Sequence, residues 1–234
     1  MKALSPNPGQ IGAQSPKNLD SGARKARFVI LVSGRGSNLQ VFLDASLNGS
    51  LDARAVFVVS SESEAPALER ARQAQVPARA CPYRREPGLD RQASRRLYDS
   101  RLADLIEPWK PDYILLLGWM RILSNAFIGR FPGRIYNLHP ALPGCFPGTQ
   151  SIQRAWEAYQ RGEITHSGAM IHLVPDEGVD TGPVLESEKI AFSPEQSLKE
   201  FEAEMHRLEH RLVLRAAARL AADFIKTVPN IKGG

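Results

Sequence analysis

A short run, Phe28-Val29-Ile30-Leu31-Val32, constrains this chain more than any other stretch. Five consecutive apolar residues leave no polar face, so the run must be buried on both sides, like a strand inside a parallel sheet. It passes directly into Ser33-Gly34-Arg35-Gly36-Ser37-Asn38 and then into Leu39, Phe42 and Leu43 at helical spacing. The same alternation recurs. Ala55-Val56-Phe57-Val58-Val59 reads as a second strand, residues 65–74 as a helix, residues 76–80 as a short third strand and residues 90–106 as a long helix. Tyr113-Ile114-Leu115-Leu116-Leu117 is a central strand that ends at Gly118-Trp119-Met120-Arg121. Strands alternating with helices predict a doubly wound, mostly parallel α/β sheet with helices on both faces. Residues 151–160 are helical, and the runs 169–174 and 184–188, joined by Pro175 to Pro183, read as an antiparallel C-terminal strand pair.

The last helix is expected to begin at an N-cap Ser193, with Pro194 at its first position and Gln196 completing a capping box. Leu198, Phe201, Met205, Leu208 and Leu212 then form one apolar face. Residues 1–26 hold Pro6, Pro8 and Pro16 and almost no large apolar side chain, which predicts a disordered tail. One domain over 27–228 and a flexible end at 229–234 complete the expected organisation. No apolar stretch approaches the roughly 18 residues of a membrane span, and two cysteines, Cys81 and Cys145, make no disulfide framework, so a cytoplasmic setting is expected. The net charge of +5 suits anionic small molecules. No basic run is interleaved with aromatics, so no nucleic-acid partner is expected, and most of the arginines at 84, 85, 91, 95, 96 and 101 read as a solvated helix face.

Polar chemistry concentrates in Asn137-Leu138-His139-Pro140-Ala141-Leu142-Pro143-Gly144-Cys145-Phe146-Pro147-Gly148. Strand-like Arg134-Ile135-Tyr136 leads into it, and residues two apart share a strand face, so Asn137 and His139 point to the same side. Pro140 stops the ladder, and the following prolines and glycines stiffen the loop. An amide donor beside an imidazole suits work on a carbonyl. Residues 33–38 form a phosphate cradle in outline, with glycines that admit an anion to backbone N–H groups at a helix start. The segment lacks the Gly-Lys-Ser/Thr of a P-loop, and Leu39 stands where a dinucleotide fingerprint needs its third glycine, although Glu62 offers the acid such a site uses. Asp176-Glu177-Gly178-Val179-Asp180-Thr181-Gly182-Pro183 is a second polar loop, open to reading as Asx-turn chemistry or as a carboxylate for His139. His206-Arg207-Leu208-Glu209-His210 matches a helical zinc signature, but no His or Glu follows to supply a third ligand, so Leu208 is expected to pack inward with Glu209 facing a cleft. Nothing marks Cys145 as an activated thiolate, and it reads as a small packing residue.

Together these stretches resemble the folate-dependent phosphoribosylglycinamide formyltransferases of the formyltransferase superfamily, from about Arg27 to about Lys226. The likeness rests on Ser33 to Gln40, Gly118 to Leu123, Asn137 to Gly144 and Asp176 to Pro183, in that order. It implies the formyltransferase fold, and transfer of a formyl group from 10-formyltetrahydrofolate, a co-substrate, to the amine of glycinamide ribonucleotide in purine (IMP) synthesis, with no metal. It implies Asn137, His139 and Asp180 as the catalytic trio: Asn137 and His139 donate to an oxyanion, while Asp180 keeps His139 protonated. Preorganised donors of this kind are each worth roughly 3–4 kcal/mol. The resemblance assigns Gly36, Ser37, Asn38, Pro140, His206 and Glu209 to the ribonucleotide. Arg95, Met120, Arg121, Ile122, Leu123, Asn137 and the backbone of Asp176, Glu177, Gly178, Val179 and Asp180 go to the folate. The chain departs from the commoner pattern at Cys145-Phe146 and at Met170, which leaves the role of His172 open.

The expected partners are small molecules, with no membrane and a monomer or weak homodimer as the assembly. Within the superfamily, a methionyl-tRNA formyltransferase would need a further C-terminal domain, and a formyltetrahydrofolate hydrolase an N-terminal regulatory one. Outside enzymes, a nucleotide-binding module using only the glycine loop is the remaining alternative.

Overall fold

The computed structural model describes residues 24–227. Seven strands form one sheet: β1 (Ala26–Val32), β2 (Ala53–Ser60), β3 (Ala78–Ala80), β4 (Tyr113–Leu116), β5 (Ile135–His139), β6 (His166–Leu173) and β7 (Val184–Ala191). Their order across the sheet is β3-β2-β1-β4-β5-β6-β7. The first five run parallel, while β6 pairs antiparallel with both β5 and β7. This is the expected doubly wound sheet with its antiparallel C-terminal pair. β3 is shorter than expected, and β6 and β7 are longer.

β1 shows why its sequence is uniformly apolar. Phe28, Ile30 and Val32 face a core built with helices α1 (Ser37–Leu47), α2 (Pro66–Gln73) and α6 (Leu198–Thr227). Val29 and Leu31 face the opposite core, under α3 (Arg91–Ile106) and the short α4 (Asn125–Ile128). Helix α5 (Ser151–Gln160) brings Trp156 against Phe201 of α6 and Phe192. Because all five parallel strands end on one edge, and the chain order reverses between β1 and β4, a crevice opens there.

Two boundaries differ from expectation. Order begins before residue 27: Ala26 is already in β1, and Arg24 bonds Asp112 at 3.3 Å. The rest of the expected tail, and the C-terminal end at 229–234, lie outside the described residues. The second difference is the start of α6. Ser193 and Gln196 do bond each other, through Ser193 N–H to Gln196 Oε1 at 3.4 Å, but they close an isolated turn. The helix begins at Leu198 under a second box: Ser197 N–H donates to Glu200 Oε2 at 2.8 Å, and Glu200 N–H to Ser197 Oγ at 3.3 Å. The two boxes lie end to end, and the helix follows the one next to Phe201, its first buried residue. Among the described residues no helix is long and apolar enough to cross a membrane.

Candidate active site

A cleft of about 690 Å³ runs along the C-terminal ends of β1, β4 and β5. Its floor carries the trio expected from sequence. β5 ends at His139, and Asn137 and His139 share its cleft side. Asp180 reaches them from the loop between β6 and β7. Asn137 Nδ2 donates to Asp180 Oδ1 at 3.0 Å, and His139 Nδ1 lies 3.4 Å from Asp180 Oδ2. Asp180 holds a left-handed backbone, φ +55°, in a region non-glycine residues rarely occupy. That conformation turns its side chain inward until it is 9% exposed.

Opposing influences act on His139. Burial is the largest influence on His139 and drives its pKa below the ordinary imidazole value; the Asp180 charge and the Phe146 carbonyl act in the opposite sense without offsetting it. The two ring nitrogens of His139 nevertheless both face acceptors, the Asp180 carboxylate and the Phe146 carbonyl, which favour the charged ring. Asp180 itself behaves as a firm carboxylate. Burial pushes its pKa up, but hydrogen bonds from His172 and from Gly148 N–H, with the two nearby imidazoles, bring it below the usual carboxylate range.

Three partners of the trio were not legible in sequence. His172 is buried, with Nδ1 2.8 Å from the Leu173 carbonyl and Nε2 3.3 Å from Asn137 Nδ2 and 3.4 Å from Asp180 Oδ1. It stands directly across the β5–β6 ladder from Asn137. Gly148 N–H donates to Asp180 Oδ2 at 2.8 Å, and the Phe146 carbonyl lies 3.1 Å from His139 Nε2. Cross-strand register and the direction of a loop's backbone groups leave no mark in residue type.

One end of the cleft is the glycine loop. Gly36 adopts φ +73°, and a Cβ there would sit 2.7 Å from Ala67 Cβ, so the turn tolerates only glycine. Arg70 braces it from behind, donating through Nε to the Arg35 carbonyl at 2.8 Å and through Nη1 to Gln40 Oε1 at 3.0 Å. Ser37 and Asn38 open α1, with backbone N–H groups free of helical partners. Asn38 Nδ2 donates to Glu209 Oε2 at 3.3 Å, the oxygen that also meets His206 Nδ1 at 2.8 Å. That bond to Glu209 raises the His206 pKa against the effect of burial. Leu208 packs in the core and Glu209 lines the cleft, as expected. His206 and Glu209 are thus committed to each other, and no group of three or more metal-ligating side chains converges among the described residues.

The other end is apolar. Met120 and Ile122 are 68% and 50% exposed on the cleft wall, and Trp119 and Leu123 line it too, though largely buried. The Arg121 guanidinium stacks 4.0 Å over Tyr83. Ser33 Oγ, at the end of β1, accepts from Met120 N–H at 2.9 Å and fixes this wall to the sheet. Asp176, Gly178 and Val179 complete the slot, and Pro140 lines the floor. Arg95 and Glu177 do not line the cleft; they pair with each other beside it. Glu62 also lies outside it, and Cys145 is exposed on the surface loop instead of packed.

Fold and cleft together define a doubly wound α/β enzyme with a phosphate-type loop, an apolar slot and a polar centre between them. Comparison with known proteins narrows this: the family model described as "Formyl transferase" matches residues 26–217, and the chain belongs to that family. It is 38% identical over 206 residues to the phosphoribosylglycinamide formyltransferase of Schizosaccharomyces pombe, covering 85% of this chain and 98% of that protein. To the Escherichia coli enzyme of the same name it is 36% identical, covering 79% and 82%. Among solved structures, glycinamide ribonucleotide transformylase 1 from Symbiobacterium toebii superposes with a TM-score of 0.76 at 30% identity, covering 90% and 94%.

Proposed function

We propose that this chain transfers a formyl group from 10-formyltetrahydrofolate to the amine of glycinamide ribonucleotide in purine (IMP) synthesis. The observation that carries this reading is the meeting of Asn137, His139 and Asp180 midway between the glycine loop and the apolar slot. The names of the relatives support the acceptor. The residues present fit both substrates. The Gly36–Asn38 turn, which a side chain at 36 would fill, takes the phosphate, and the buried Glu209 carboxylate takes ribose hydroxyls. Met120, Ile122 and Val179, apolar yet exposed, take a flat pterin, with backbone groups of 176–180 reading its edge.

In this arrangement the amine attacks the formyl carbon and negative charge grows on the formyl oxygen. Asn137 Nδ2 and the His139 N–H donate to it, the latter exchanging the Phe146 carbonyl for the oxyanion. An anion at that place raises the affinity of His139 for a proton, so the ring gains charge as the reaction proceeds. Asp180, ionised throughout, orders a water that relays the amine's proton towards the departing folate nitrogen. The enzyme works in the cytoplasm on these small molecules, as a monomer or weak homodimer.

The test follows folate absorbance with purified protein in buffer lacking metal and ATP. Transfer that requires glycinamide ribonucleotide is the expected result. Loss of formyl groups without acceptor would make it a hydrolase, and ribonucleotide binding without turnover a binding module.

A further inference from the structure

Glu177 stands three residues before Asp180, and its side chain leaves the cleft. One carboxylate oxygen pairs with the Arg95 guanidinium of α3, and the other accepts the Asn125 N–H at the start of α4 at 2.9 Å. We propose that Glu177 is a positioning residue for the transfer: it clasps the loop that carries Asp180 to the wall of the folate slot.

Both ends of the clasp matter. Asn125 follows Met120–Leu123 and Ser124, whose N–H is held by the buried Asp99 carboxylate at 2.7 Å. The wall is therefore anchored, and Glu177 ties the catalytic loop to an anchored point. Between Glu177 and Asp180 the loop has little slack. Asp176 Oδ1 accepts Gly178 N–H at 2.7 Å, and a Cβ on Gly178 would come within 2.6 Å of Thr181 Oγ1. Beyond Asp180, a Cβ on Gly182 would lie 1.8 Å from the Leu173 carbonyl. A loop packed this closely transmits a displacement at Glu177 to Asp180 instead of absorbing it. Asp180 also sits at φ +55°, a conformation that persists only where its surroundings impose it. Its contacts with Asn137 and Gly148 hold the carboxylate; Glu177 holds the backbone beneath. The clasp also fixes how far the 176–180 backbone stands from Met120 and Ile122, and so the width of the slot.

This inference rests on Asp180 acting in the transfer, so its test has a readout that does not depend on activity. Hydrogen exchange over residues 175–183 is compared between wild type, Glu177→Gln and Glu177→Ala. The amide variant keeps an acceptor for Asn125 but loses the charge facing Arg95. Exchange in this segment is expected to quicken in the order wild type, Gln, Ala, while the glycine loop is unchanged. In kinetics, Glu177→Ala is expected to lower kcat by about 10- to 100-fold, the scale on which a small misplacement of a reacting group acts. KM for glycinamide ribonucleotide should stay within about twofold, because no contact to that end is lost. Arg95→Ala with Glu177→Ala should depress kcat no further than the Glu177 variant alone, since both remove one clasp. Unchanged exchange and unchanged kcat in both Glu177 variants would overturn the proposal, even with a lowered Tm. So would kcat losses that multiply in the double variant. Changed exchange in a wild type lacking transfer would instead count against the functional reading alone.

Discussion

Replacing Asp180 by Asn tests the centre of the site most directly. The carboxylate accepts Gly148 N–H at 2.8 Å on one oxygen and Asn137 Nδ2 at 3.0 Å on the other, and two imidazole nitrogens lie 3.4 Å from it. An amide of the same shape offers one oxygen and one NH₂. If its oxygen keeps Asn137, its NH₂ meets the Gly148 N–H; if it flips, NH₂ meets NH₂. Either way one donor pair is left opposed in a site only 9% exposed, at a cost of about 1–3 kcal/mol. For a domain of this size that lowers Tm by roughly 2–10 °C. The catalytic loss is separate. The variant has no carboxylate to order the relaying water, and in the flipped orientation Asn137 also loses the partner that orients its donor. Loss of a group serving proton transfer costs about 10²–10⁴ in kcat. Turnover at saturating substrates, followed by folate absorbance, and calorimetric titration with the ribonucleotide give the two numbers. Ribonucleotide affinity should be nearly intact, because the glycine loop and Glu209 are untouched. Wild-type turnover in a folded variant would remove Asp180 from the mechanism.

Gly36→Ala should weaken ribonucleotide binding at least tenfold by titration, since the left-handed turn alone costs roughly 1–2 kcal/mol and the methyl meets Ala67; Gly34→Ala, with open space around it, should bind normally. Stability should fall as pH drops below about 6.5, the ordinary imidazole value, because His139 is depressed when folded and the unfolded chain then binds more protons; urea unfolding of His139→Asn should show a flatter dependence. His206, raised by Glu209, contributes in the opposite sense: its stabilisation is full below the ordinary value and is lost as pH rises through the folded one, so His206→Gln should lose less stability on alkaline titration. Ser197→Ala should cost about 1 kcal/mol in urea unfolding through the lost cap of α6, while Ser193→Ala, in a surface turn, should cost much less.

Much was legible in residue order alone. A strand with no polar face demands two covered faces, so Phe28 to Val32 dictated a layered α/β sheet before any packing was seen. Period-two alternation put Asn137 and His139 on one side of β5, and glycine at 36 marked a turn that other residues cannot enter. These are local properties, set by the stereochemistry of a few neighbouring residues. What only the tertiary structure decided is everything that depends on distant segments meeting. The capping box at Ser193 is a sound local signal, yet α6 starts four residues later, under the second box next to the buried Phe201. His172 became a partner of Asn137 through cross-strand register, and Gly148 and Phe146 through the path of a loop. The proton affinity of His139 reflects a balance between burial and Asp180, and burial, which grows with the whole fold, is the larger.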